Sequence, residues 1–182
     1  LTKRMREDAG LSLETAAQTG NLAQVQLLFS RARIDHQKEA FQAAAKAGHA
    51  SSIDYMLRQI RDDNVWYKAY PKAIEAAASN GHLAVVKILE PKVRGQYRMP
   101  LYKGMWRAIE NAPQIDLASP EEAVAGAKEE ATGHLEVACY IFSVCDELNY
   151  RSGALERAVK KGQRGLVQHF VSEAEGIGNA IY

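Results

Sequence analysis

Five histidines, two cysteines and several glutamates are the side chains that could do chemistry, and their spacing limits what they could do. His49, His82 and His134 each follow a glycine, which assigns them to a turn rather than to a ligand set. His36 and His169 stand alone. No His-Glu-x-x-His run is present, and no Cys or His pairing has the spacing of zinc ligands. Cys139 and Cys145 are six residues apart, which on one helix puts them on different faces, as core thiols. Glu129 and Glu130 are the catalytic candidates, because a buried carboxylate there could act as general acid or base. The competing reading is a solvated helix face. Glu121 and Glu122 follow Ser119-Pro120, a helix start with serine as N-cap and proline at the first position, where acids complement the helix dipole. No G-x-S-x-G elbow, phosphate-cradling glycine loop or dinucleotide fingerprint occurs, and no cofactor is expected.

Aromatic residues carry a different signal. Trp66, Tyr67, Tyr70, Tyr97, Tyr102 and Trp106 gather in one stretch, interleaved with Lys68, Lys92, Arg94, Arg98, Lys103 and Arg107. Tyr, Trp and Arg are the types enriched at binding hot spots. Trp66, Tyr67, Tyr70, Tyr97, Arg98 and Tyr102 are therefore the expected partner-binding residues. Local packing of the same rings is the alternative, and it is favoured for Trp106, which sits in an apolar helical pattern.

The elements that must position these residues are legible in the alanines. The chain has 29 of them, and they pair up just before glycines: Ala16-Ala17 before Gly20, Ala44-Ala45 before Gly48, and Ala77-Ala78 before Gly81. Ala158-Val159 precede Gly162, and Gly133 lacks the pair. Leu13, Phe41, Ile74 and Leu155 lie seven residues before a glycine. Val25, Ile53, Val86, Ala138 and Val167 lie five after, and Leu28, Met56, Leu89, Ile141 and Phe170 eight after. These offsets put apolar residues one turn apart on a helix before the glycine and on another after it. Each unit is expected to be helix, tight turn, helix, with the glycine in the left-handed conformation that penalises a Cβ. A unit recurring at this period marks a solenoid, stable through stacking.

The stretch AASNGHLAVVKIL (Ala77 to Leu89) resembles the ankyrin repeat, as do AAQTGNLAQVQLL (Ala16 to Leu28) and GHLEVACYI (Gly133 to Ile141). The likeness covers most of residues 11–90 and 119–172. It departs where the family opens its first helix with Thr-Pro-Leu-His, since the histidine position holds Glu14, Gln42, Glu75 and Glu156. In the fourth unit, Glu129 and Glu130 stand where the small pair belongs. The resemblance implies recognition of another protein through loops that project as fingers and through the inner helix faces.

Composition bounds the rest. The chain has 182 residues, 47% of them hydrophobic, with a formal net charge of +1. This excludes intrinsic disorder and argues against a nucleic-acid partner, which calls for a basic footprint. No apolar run is long enough to span a membrane. Two cysteines make no disulfide framework, so a reducing compartment is expected: cytoplasm, with the nucleus open. The expectation is a single all-α domain over 1–182, an ankyrin-like solenoid of about five stacked helix-turn-helix repeats. An insertion is placed at about 91–118 in the fourth, and a short tail at 174–182. Leu101 to Ala112 reads as helical, either within that insertion or as the first helix of a degenerate unit. The function expected is a non-catalytic protein-protein interaction module. The alternative is a small-molecule-binding or enzymatic protein with a pocket formed by 97–134.

Overall fold

The computed structural model describes residues 12–93, 98–112 and 128–179, with side chains placed for 12–93, 98–112 and 133–174. Among these residues the chain is all-α, with no strand. Helices follow one another as pairs: α1 (12–19) and α2 (Leu22–Leu28), then α3 (Ile34–Ala47) and α4 (Ala50–Gln59). A short α5 (Asp63–Trp66) precedes α6 (Ala69–Ser79) and α7 (Leu83–Val93). Then come α8 (Arg98–Asn111), α9 (Lys128–Ser143), α10 (Leu148–Lys160) and α11 (Arg164–Asn179). Pro71 and Pro100 stand in the first turns of α6 and α8, where a missing N–H costs no helical bond.

The turns have one repeated construction. Gly20, Gly48, Gly81 and Gly162 all have positive φ, between 67° and 80°. At Gly48 the glycine N–H donates to the Ala45 carbonyl, and the His49 N–H donates to the Ala44 carbonyl at 3.0 Å. This double bond pattern satisfies carbonyls that the helix end leaves without partners. Gly162 and Gln163 repeat it on Val159 and Ala158. The residue two past each glycine then donates to the glycine carbonyl, which starts the second helix: Leu22, Ala50, Leu83 and Arg164. The alanines before the glycine are buried in the first three pairs, so Ala16-Ala17, Ala44-Ala45 and Ala77-Ala78 mark close packing, as their spacing implies.

Gly133 departs from this construction. It lies inside α9, which runs unbroken from Lys128 to Ser143, and it has no positive φ. The expected turn there is corrected to continuous helix. Glu129 and Glu130 consequently share a helix with Ala138 and do not take the place of an alanine pair. Glycine is required at 133 for another reason: a Cβ would lie 2.5 Å from the Gly81 carbonyl oxygen. The first helix of the fourth pair is α8, whose buried Met105, Ala108 and Ile109 show the −7, −4, −3 spacing measured back from Ala112. Residues 94–97 and 113–127, on either side of α8, lie outside the described residues. Ser119, Glu121 and Glu122 lie outside the described residues.

The chain divides into two compact units, Leu1–Ala77 with Ala84–Leu101, and Ala78–Leu83 with Tyr102–Tyr182. In the first, α2 packs on α4 and the core is aromatic: Phe29 meets Tyr55 and Trp66, while Phe41 meets Trp66 and Tyr70. In the second, α9 packs on α11 through the stacked rings of Phe142 and Phe170, 4.0 Å apart. Tyr102 stacks on Tyr150 at 4.1 Å, and the Arg157 guanidinium lies 4.2 Å above Trp106. Burying several aromatic rings supplies much of the apolar area that each unit removes from water.

Candidate functional site

Histidines after the turn glycines link one pair to another. In the first unit the His49 Nε2–H donates to the Gln18 carbonyl at 2.9 Å, two residues before Gly20. In the second the His134 Nε2–H donates to the Ser79 carbonyl at 3.0 Å, two residues before Gly81. A carbonyl can only accept, so Nε2 carries the proton in both. The turn role expected for these histidines agrees with this geometry at His49. At His134 the same bond is made from within a helix. Gln163 replaces histidine in the last pair and donates to the Ile109 and Ala112 carbonyls at 2.8 and 3.0 Å.

The repeating register also builds an open groove of about 510 Å³ on α1, α3 and α6 in the first unit. Its polar lining is Glu14, Gln18, Glu39, Gln42 and Lys46; Ala43, Ala47 and Ala76 complete it. Glu14 and Gln42 hold the position six before their glycines, Gln18 and Lys46 the position two before, and Ala43 and Ala76 the position five before. Successive helices thus present the same register positions to one surface. Small residues leave room there, and two carboxylates face one ammonium. Nothing in the aromatic signal pointed to this groove. The signal available was the histidine position of the family pattern, occupied by Glu14 and Gln42.

A second polar cluster joins α5, α6 and α7. The Tyr70 hydroxyl donates to Asp63 Oδ1 at 2.6 Å, and Lys92 Nζ donates to both carboxylate oxygens of Asp63, at 3.2 and 2.9 Å. The Tyr70 hydroxyl, and after it Lys92, hold the Asp63 carboxyl below the usual carboxylate range. Burial, and after it Asp63, push the Tyr70 phenol above its ordinary value. A carboxylate held ionised and a phenol held protonated do not exchange protons near neutrality, so the cluster is a strut rather than an acid-base device.

Of the expected partner-binding residues, Trp66, Tyr70 and Tyr102 are buried and belong to the core. Their aromatic faces are covered by neighbouring rings of their own units. Trp66 lies in the short helix α5. Tyr67 is 40% exposed, with the Lys68 ammonium 5.4 Å from its ring. Arg98 is half-buried at the start of α8, and Tyr97 lies outside the described residues. Tyr67 falls in the first unit and Tyr102 in the second.

The side chains of Glu129 and Glu130 lie outside the described residues. Cys139 is on α9, but Cys145 lies past its end, so the two are not on one helix. Burial, aided by Glu173, pushes the Cys139 thiol up to about 11, which keeps it unreactive near neutral pH. Among the described residues no group of three His, Cys, Asp or Glu could hold a metal ion, and no helix is long and apolar enough to cross a membrane. Compared with family models, curated proteins and solved structures, the chain finds no match.

Proposed function

We propose that the chain is a non-catalytic, ankyrin-like stack of helix pairs that binds a protein segment. The observation that carries the reading is the groove on α1, α3 and α6, lined at matching register positions by Glu14, Gln18, Gln42 and Lys46. The histidine bonds from one pair to another support the stack, because they recur at the same offset from a glycine in both compact units. Alanines and polar side chains make the groove open and wettable, which fits an extended polypeptide better than an enclosed metabolite. Glu14 and Glu39 favour basic side chains in the partner. Tyr67 is the exposed aromatic that fits a finger-loop contact.

A displayed peptide library panned on the intact chain tests this. Enriched peptides should carry Lys or Arg and should lose about tenfold or more in affinity on the Glu14→Lys, Glu39→Lys double variant, a loss of about 1.4 kcal/mol. Failure to enrich any peptide, or binders indifferent to that charge reversal, would remove the groove as the binding site.

A further inference from the structure

The last described pair, α10–α11, wears on its outer side residues of the kind that the earlier pairs bury. Seven before the glycine, Leu13, Phe41 and Ile74 are fully buried, whereas Leu155 is half-exposed. Three before, Ala17, Ala45 and Ala78 are fully buried, whereas Val159 is 58% exposed. Five after, Val25, Ile53 and Val86 are fully buried, whereas Val167 is half-exposed. Nine after, the comparison names what does the covering. Phe29 on the first pair meets Tyr55 of α4, and Phe142 on the fourth meets Phe170 of α11. Val171 holds that position on the last pair and is 40% exposed.

Leu155 and Val171 line an open, mostly apolar groove of about 520 Å³ together with Phe142, Leu148, Phe170 and Ala174, and with Arg151 and Ser152 at its polar part. Leu148 is 79% exposed. The opposite side of the first pair makes the contrast. Its Ser12, Asn21 and Gln24 are exposed and polar at −8, +1 and +4, where later pairs bury Ala40, Ala73 and Ala154, or Ser52, Val85 and Leu166. Solvated end faces of repeat arrays are polar, and the outer face of α10–α11 is not.

We propose that this outer face seats one further helix pair of the same register. The groove continues the interfaces that place α4 on α2 and α11 on α9. Those interfaces state the chemistry of the occupant. It presents alanine at −8 and −4, as Ala40 and Ala44 or Ala154 and Ala158 do, all fully buried. It also carries a histidine after its glycine, to donate to the carbonyl two residues before the preceding glycine as His49 and His134 do, a position held here by Lys160. The proposal rests on the repeat register of the proposed stack but not on its peptide groove.

The test extends the full chain with a copy of residues 33–60, carrying Phe41→Gln and Ile53→Gln in the added copy so that its own outer side is solvated. Two linker lengths are used. The extended chain is expected to unfold about 4 °C or more higher and to bind the apolar dye ANS several-fold less. Val159→Asp and Val171→Asp, at positions already exposed, should leave the Tm of the unextended chain within about 1 °C and erase the gain in the extended one. No gain with either linker would overturn the proposal. So would an unextended chain that sediments as a dimer and is split by Val171→Asp, since the face would then belong to a second copy. Peptide binding at the groove on α1, α3 and α6 is read in the same samples; its loss with the Tm gain retained would count against that groove alone.

Discussion

In α3–α4 only Gly48 and His49 lie between the two helices; in α8–α9 residues 112–127 lie between them. Both joints nevertheless hold a buried, small-residue first helix and a histidine that donates across to an earlier pair. The difference separates two roles that glycine performs together elsewhere. At Gly48 the backbone needs a left-handed residue to end a helix. At Gly133 the backbone is ordinary helix, and glycine is needed because another chain segment passes too close for a side chain.

The comparison can be broken at either role. Gly81→Ala should be the most damaging change, because a Cβ would meet the His134 backbone nitrogen at 2.9 Å while the residue sits at φ 75°. A loss of about 3 kcal/mol in urea unfolding is expected from strain and overpacking combined. Gly133→Ala is sharper in sign. In an unconstrained helix this change stabilises by about 1 kcal/mol; here the 2.5 Å approach to the Gly81 oxygen should make it destabilise by about 2 kcal/mol. A stabilised Gly133→Ala variant would return Gly133 to an ordinary helix position.

Gln163→Leu comes next, with about 1.5 kcal/mol lost, since the Ile109 and Ala112 carbonyls would forfeit a buried donor. It asks whether α8 serves α10–α11 as a first helix. An unchanged stability would deny that. The smallest effect is a control that touches neither joint: Tyr70→Phe, at about 1 kcal/mol. Its pH dependence has a fixed sign. The folded-state pKa of Asp63 lies below the ordinary 3.8, so its stabilisation is present above that pH and is lost as pH falls through the folded value. The folded-state pKa of Tyr70 lies above the ordinary 10.0, so its stabilisation is present below that pH and is lost as pH rises further. Tyr70→Phe should flatten both limbs of a stability–pH curve; a curve of unchanged shape would show that the strut carries neither.

Helix pairing was legible in the sequence because its causes are local. A glycine with alanines three and four residues before it reads the same in any context, and Gly20, Gly48, Gly81 and Gly162 all proved left-handed. Gly133 was misread because Gly-His-Leu also suits a helix interior that crosses another backbone, and only the distant Gly81 tells the two apart. A local signal did exist: Met105, Ala108 and Ile109 carry the first-helix spacing against Ala112, without its glycine. The aromatic site was illegible for a different reason. Trp66, Tyr70 and Tyr102 have the composition of a binding patch, but residue type does not state which side of a helix is covered. The groove on α1, α3 and α6 needed three helices brought side by side before its polar lining became a surface.

The distance along the chain between His134 and Ser79 bears on the order of folding. That bond closes 55 residues, against 31 for the bond between His49 and Gln18. Loop-closure entropy makes the longer closure costlier by about 0.5 kcal/mol. Contacts of shorter range are expected to form first, with α9 settling over Gly81 after the rate-limiting step. Gly133→Ala should therefore act chiefly by speeding unfolding, leaving the refolding rate nearly untouched.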